Sequence, residues 1–367
     1  MARSTQTRGE LTAGARAAFF QRPMARWGVI IVVAAVLVIA PLVLPVFANQ
    51  TLIRIGVYAV AVLGLNIVMG YGGQVNLGQI FFLGVGAYVT AIGVENDWNI
   101  VLVFIAAVAI PGALGLLIAL AAARLGGLAI AMVTIALPIV GVPLAKRLSS
   151  VTGGSQGISA RFSGAPEWTG LYDDQWQFYI VLVIAAASFL LARNFVRGKY
   201  GRALAVVKEN AAVAGSMGIS PYNYKVLSFT IGSLLGGVSG FLYLVAVQYT
   251  SPETLSFGHS ISLLAAMVIG GAGSIAGSLI GGAYYVIVPQ ATNLIDPNLT
   301  TISQGAILLA VLFLLPGGLV SLPRFFRRFT RRSSGGASSA GTNAPHKTPQ
   351  ADAGAEGTEE TERQGPA

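Results

Sequence analysis

Cysteine is absent from the chain, which excludes disulfide bridges and thiolate metal sites together. Charge is nearly as scarce: 10% of the residues are Asp, Glu, Lys or Arg, where a soluble domain carries about a quarter. Of the two histidines, His346 falls in a polar tail and cannot meet His259. The charge-free stretches therefore hold no nucleophile with its base, no carboxylate pair and no set of metal ligands, which argues against an intramembrane enzyme. A phosphate-binding loop is missing as well. No G-x-x-x-x-G-K-[ST] occurs, and the single Gly-Lys pair, Gly198-Lys199, is followed by Tyr200, so this chain has no nucleotide site of its own.

What is present is apolar. Hydrophobic residues make up 54% of the chain and glycine contributes 46 positions. Apolar runs near twenty residues long recur from position 28 to position 322, and each is long enough to cross a hydrocarbon core of about 30 Å as a helix. Residues 226–252 carry no charge, and 254–295 carry none except on His259. One charged side chain at a span centre costs about 2.5–3.5 kcal/mol, so these gaps mark membrane segments. The expected fold is an all-α, polytopic transmembrane bundle of about ten spans or re-entrant segments. They lie at 28–48, 52–69, 80–94, 100–123, 125–143, 177–193, 226–247, 259–270, 274–290 and 302–322.

The placement of positive charge orients this map. With both termini cytoplasmic, nineteen of the 23 Lys and Arg fall inside, and only Arg54, Lys146, Arg147 and Arg161 fall outside. Retention of Lys and Arg on the cytoplasmic side produces such asymmetry. The formal charge of +9 thus reflects topology in a lipid bilayer and requires no nucleic acid. Three regions follow: a basic N-terminal segment at 1–27, a membrane domain at 28–322 with a long inside loop at 194–224, and a basic, then polar tail at 323–367 expected to be disordered. The first apolar run ends in Val46-Phe47-Ala48, compatible with a cleaved signal, but it is longer than a signal core and is read as a span.

Two segments resist reading as simple helices. GYGGQVNLGQ at 70–79 precedes a span of only fifteen residues, about 22 Å of helix, so part of the glycine and amide stretch must lie at membrane depth. The apolar run from Ser260 to Gln290 is broken by GGAGS at 270–274 and reads as a hairpin or re-entrant pair. Irregular backbone survives in a bilayer only where protein or a water-lined cavity satisfies it, and paired glycine-interrupted segments point to a translocation site. The candidate pathway residues are Gly70, Gly73, Gln74, Asn76, Gly78 and Gln79 in the first break, and Gly270, Gly271 and Gly273 in the second. The amides either line a pathway or clasp neighbouring helices; the sequence leaves both open. Glycines at 232, 236 and 240, and at 273, 277 and 281, recur on one helix face and read as close-packing surfaces.

The inside loop has helical spacing over 202–217, with a Gly218 stop and Pro221 shortly after. Such a helix lies in the membrane interface or docks in a partner's groove. Here the chain resembles the branched-chain amino-acid permease family of ATP-binding-cassette (ABC) importers. LNIVMGYGGQVNLGQIFFLGVGAYVTA at 65–91, TGGSQGI at 152–158, GRALAVVKENAAVAGSMGI at 201–219, SPETLSF at 251–257, VIGGAGSIAGSLIGGA at 268–283 and LLPGGLVSL at 314–322 resemble its signatures in order.

The resemblance implies a permease in the bacterial cytoplasmic membrane that pairs with a second related permease, two cytoplasmic ATPase subunits and an extracytoplasmic binding protein. No cofactor is then bound by this chain, ATP and Mg residing on the ATPases. The 201–219 segment becomes the coupling element: Arg202, Lys208 and Glu209 supply charge, Ala211 and Ala212 small contacts, and Gly218 the turn, while Asn210 departs from the usual Glu-Ala-Ala form. Gln156 also departs, standing where the family often has Asp. The implied cargo is leucine, isoleucine and valine, with other amino acids or urea and short amides as alternatives. From another class, an ion-coupled carrier would have only Glu253 and His259 as ionisable groups near the spans; both read as outside-loop residues. A passive channel would not need the coupling helix.

Overall fold

The computed structural model of the chain describes residues 35–122, 127–162, 164–294, 305–310, 313 and 318–321. Ten helices organise it: α1 (Val46–Leu65), α2 (Gln79–Glu95), α3 (Ile100–Ala122), α4 (Gly127–Arg147), α5 (Asp173–Arg197), α6 (Lys199–Glu209), α7 (Ala211–Ser216), α8 (Pro221–Val247), α9 (Phe257–Gly270) and α10 (Ile275–Asn293). Residues 35–43 are also helical, and Ser149–Thr152 forms one turn. Among the described residues the one sheet is a two-stranded ladder pairing Ile158 with Thr250 and Ser159 with Tyr249.

Five of these helices are long and apolar enough to cross a membrane: Val46–Tyr71, Ile100–Ala122, Ala129–Arg147, Asp173–Arg197 and Pro221–Val247. Of the about ten spans or re-entrant segments expected, these five are shown as spans among the described residues. The 17 residues of α2 and the 14 of α9 reach only about 25 Å and 21 Å, short of the hydrocarbon thickness. Residues 28–34 of the first expected span and 302–304, 311–312, 314–317 and 322 of the last lie outside the described residues, as do the segment at 1–27 and the tail at 323–367.

Sequence chemistry explains the helix ends. Asp173 and Asp174 sit in the first turn of α5, where Tyr172 and Gln175 form a reciprocal cap, and acidic groups there favour the helix dipole. Asn49 donates to Asp174 at 2.9 Å and to the Pro41 carbonyl at 3.1 Å, tying residues 35–43 to α1 and α5. Pro221 opens α8 behind a Ser220 cap, a position where its missing N–H costs nothing.

The core forms where α8 is flanked by α1, α2 and α3. Ile53, Val57, Val103, Phe178, Phe241 and Leu242 interlock there. Close approach depends on glycine: a side chain at Gly240 would overlap the Leu83 carbonyl of α2. On the outside, Val101, Leu117, Val183 and Leu191 are more than 60% exposed, an apolar surface that suits lipid and not water.

Registers along α8 show where the first break sits. Gly64 faces Gly232, whereas Gln74 reaches Lys225 and Ser228 nearer the start of α8. The chain then turns back, so that α2 begins beside Gly232, eleven residues into α8, about 16 Å along its axis. Substituting Gly240→Val should destabilise the protein by about 1–3 kcal/mol through overpacking, seen as a lower Tm in detergent. Gly258→Ala, with no atom within 4 Å of the added carbon, should leave Tm unchanged.

Candidate translocation and coupling site

Past Leu65, α1 widens into a π-helical turn, Asn66–Tyr71. Gly72 donates to the Ile67 carbonyl at 2.9 Å and Gln74 to that of Val68 at 3.1 Å. Glycines at 70, 72 and 73 are poor helix formers, and Gly73 takes φ +66. A π turn inside an apolar helix recurs at functional positions.

The irregular backbone that follows is satisfied locally. Leu77 donates to the Thr134 hydroxyl at 3.2 Å, and Gly78 to the Asn76 side-chain carbonyl at 2.8 Å. Gln74 donates to the Lys225 carbonyl at 3.0 Å and the Ser228 hydroxyl at 2.7 Å; Gln79 donates to the Gly232 carbonyl at 2.9 Å. Gln74, Asn76 and Gln79 are all buried. Gln74 and Gln79 clasp the broken segment onto α8, the Leu77 N–H ties it to α4, and Asn76 bonds within the break.

The second break reverses the chain between α9 and α10. Gly271 and Gly273 have φ of 121° and 76°, a region that disfavours side chains, and the Ser274 hydroxyl caps α10 by accepting from Gly277 at 3.2 Å. Gly270 packs directly against Gly277 and Gly281 of the returning helix. The broken run is an antiparallel hairpin.

Asn66 joins the two breaks. It is fully buried, donates to the Ser274 carbonyl at 2.8 Å and the Ser278 hydroxyl at 3.0 Å, and accepts from the Gly273 N–H at 2.7 Å. Gly70 lies so close that a side chain there would overlap the Asn66 carbonyl oxygen. The sequence reading passed over Asn66 because it stands within an apolar stretch ahead of the glycines. An amide just before a glycine-rich break was the signal available.

The cytoplasm-assigned loop is not one helix over 202–217, as expected, but two. Asn210 is extended (φ −154, ψ 110) and its side-chain oxygen accepts from Ala212 at 2.9 Å and Val213 at 3.2 Å; a residue that caps so well starts a new helix. Gly218 closes α7 at φ +77, with Ile219 donating back to Ala214 at 2.9 Å.

The charged residues of this loop then divide. Arg202, Glu209, Ala211 and Ala212 are exposed. Lys208 is exposed as well, yet its ammonium reaches back and donates to the Gly70 carbonyl at 2.7 Å. A side chain at Gly73 would meet the Lys208 stem at 2.7 Å. A carbonyl at a helix C-terminus is an orphan acceptor with partial negative charge, which a cation satisfies on both counts. A continuous path thus runs from α6 through Lys208, Gly70 and Asn66 to the α9–α10 turn.

The chain matches, over residues 47–312, the family described as branched-chain amino acid transport system / permease component. It belongs to that family. The matched region contains every residue of the path just traced. The permease is 26% identical to the high-affinity branched-chain amino acid transport system permease protein LivM of Escherichia coli K12, across 73% of this chain and 68% of the relative. It is 25% identical to LivH of the same strain, across 72% of this chain and 92% of the relative. A probable branched-chain amino acid transport permease protein LivM of Methanocaldococcus jannaschii is 27% identical over 47% of this chain and 53% of the relative. No solved structure matches.

Two residues of the permease assigned to outside loops have specific partners. Glu253 pairs with Lys146 at 3.0 Å, and the hydrogen bond from that ammonium holds the Glu253 carboxyl below its ordinary range. His259 meets the Tyr285 hydroxyl through Nδ1 at 2.8 Å. Among the described residues no group of His, Asp and Glu is arranged to hold a metal.

Removing Asn66 should expose the dependence of both breaks on one side chain. Asn66→Ala leaves the buried Gly273 N–H unpaired, costing about 1–3 kcal/mol, and removes the bonds to Ser274 and Ser278. A fall in Tm together with faster hydrogen exchange at residues 271–278 is expected in the purified protein. Asn66→Asp, which keeps the acceptor, should show a smaller fall.

Proposed function

We propose that this multi-pass permease is the membrane subunit of an ABC importer for leucine, isoleucine and valine in the bacterial cytoplasmic membrane. It pairs with a second related permease, two cytoplasmic ATPase subunits that bind ATP and Mg, and an extracytoplasmic binding protein. Similarity to both LivM and LivH, relatives named for one transport system, supports a permease pair and the cargo. The asymmetry of Lys and Arg supports cytoplasmic termini, which puts α6 and α7 at the cytoplasmic face and the Lys146–Glu253 pair outside.

The observation that carries the reading is the Lys208 to Gly70 bond. An importer driven by separate ATPases needs a mechanical link from its cytoplasmic surface to the irregular backbone in its spans. α6 and α7 supply both ends of that link. On the exposed side, Val213 and Met217 are 48% and 66% accessible, apolar groups suited to a partner's groove. Toward the spans, the Lys208 ammonium holds the first break, which Asn66 holds to the second. Lys208 is a positioning residue in this scheme, and Glu209, Ala211 and Ala212 belong to the docking face. Gly70, Gly73 and Gly271 to Gly273 form the movable element, with Gln74, Asn76 and Gln79 as the clasps that a moving segment exchanges.

Met217→Glu should abolish co-purification of the ATPase subunits while leaving membrane insertion intact. Lys208→Met should retain the ATPases and their hydrolysis but lower leucine uptake tenfold or more; equal loss of hydrolysis and uptake would count against the link. In cells, uptake should stop when ATP is depleted at a maintained ion gradient. Persistence under that condition would sink the importer reading in favour of an ion-coupled carrier.

A further inference from the structure

Far from Lys208, the faces of α1, α8 and α10 enclose a cleft of about 330 Å³. α1 contributes Arg54 and, one turn on, Tyr58; α8 contributes Tyr243; α10 contributes Tyr285, Gln290 and Asn293. A second cavity of about 640 Å³, which His259 and Ser262 help to line, shares Tyr285 and Pro289 with the first. The aromatic wall is ordered: Tyr58 and Tyr285 rings lie 4.1 Å apart, Tyr243 meets Tyr58 edge-on at 6.5 Å, and His259 fixes the Tyr285 hydroxyl at 2.8 Å.

Arg54 is the unexplained group. It stands eight residues into α1 with its side chain exposed, toward the end of the helix that the placement of positive charge assigns to the outer side. No carboxylate lies within ion-pair distance of it among the described residues, where the one ion pair is Lys146–Glu253. Guanidinium is the side chain best matched to a carboxylate, and at the outer end of the bundle it stands where an imported solute arrives. Clefts of this size with a few convergent polar groups in an aromatic and aliphatic wall are typical of small-ligand sites.

We propose that this cleft is a subsite for a zwitterionic, aliphatic α-amino acid on its way through the permease. The Arg54 guanidinium takes the carboxylate, the faces of Tyr58 and Tyr243 take the ammonium, and Val247, Val286 and Pro289 cover the aliphatic side chain. A zwitterionic lipid offers the same anion, ammonium and aliphatic groups, so competition of a photolabel by free leucine is what separates the two sources. This inference rests on the importer reading above.

The test uses the complete importer in proteoliposomes, made with zwitterionic lipid alone and with added anionic lipid. Arg54→Gln should lower leucine uptake at least tenfold in both membranes, with the partner subunits and binding-protein-stimulated ATP hydrolysis retained, and Arg54→Lys should recover part of the rate. Leucine carrying a diazirine should photolabel peptides containing Val286 or Val247 in the wild-type complex, with the label competed by leucine and lost in Arg54→Gln. Normal uptake in Arg54→Gln, label confined elsewhere, a defect seen only with anionic lipid, or loss of the partner subunits would each overturn the subsite. If the wild-type complex imports no leucine with ATP, the importer reading falls, and the subsite with it.

Discussion

Asn66 directs its side-chain amide at three groups of the α9–α10 turn, and the rest of the central architecture depends on that contact. Backbone that leaves the helical pattern inside an apolar medium loses its internal partners, and no water replaces them. Two breaks, two hundred residues apart in the chain, solve this problem jointly. The π turn after α1 brings its glycines against the turn before α10, and one asparagine satisfies donors and acceptors on the opposite segment. The absence of side chains at Gly70 and Gly273 lets the two backbones meet there. The arrangement is tightly packed yet built from glycine and single hydrogen bonds, so it is ordered without the interlocked aliphatic packing that surrounds α8.

The same economy governs the loop between α5 and α8. Asn210 ends one helix and caps the next, which allows α6 to lie against the membrane domain while α7 presents Val213 and Met217 outward. Ala203, Leu204 and Val207 are buried on the inner face of α6, and Lys208 follows them at its end, where its long stem crosses to Gly70. A single unbroken helix, the arrangement that helical spacing favours, would have held Lys208 and Met217 in one rigid rod. Capping energetics override that spacing, because Asn competes for backbone N–H groups more effectively than it continues a helix.

Much of the candidate site was legible in the chain because the bilayer makes some features expensive. Scarcity of charge located the apolar segments, glycine-rich interruptions located both breaks, and the departure at Asn210 was visible as a residue out of pattern. The amides at 74, 76 and 79 were identified as polar groups at depth, but whether they line a path or hold helices is a matter of which atoms lie opposite. In the structure those atoms are the carbonyls and hydroxyl of α8 for Gln74 and Gln79, and Gly78 and Gln79 themselves for Asn76. Asn66, Arg54 and the three tyrosines were not singled out, since each is one polar or aromatic residue in an otherwise apolar run.

By itself, then, the sequence determined that this is a helical membrane protein of the branched-chain amino acid permease family, where its two glycine-rich breaks fall, and that no G-x-x-x-x-G-K-[ST] motif occurs in it. Those properties follow from composition, local propensity and short motifs, all of which act over a few residues. Only the tertiary structure decided that the breaks share Asn66, that the Lys208 ammonium reaches the Gly70 carbonyl, and that Arg54 stands among Tyr58, Tyr243 and Tyr285. These are pairings across the length of the chain. They arise from the registers that close-packed glycine faces impose on α1, α2, α8 and α10, and no local pattern encodes which residues such a register will set opposite one another.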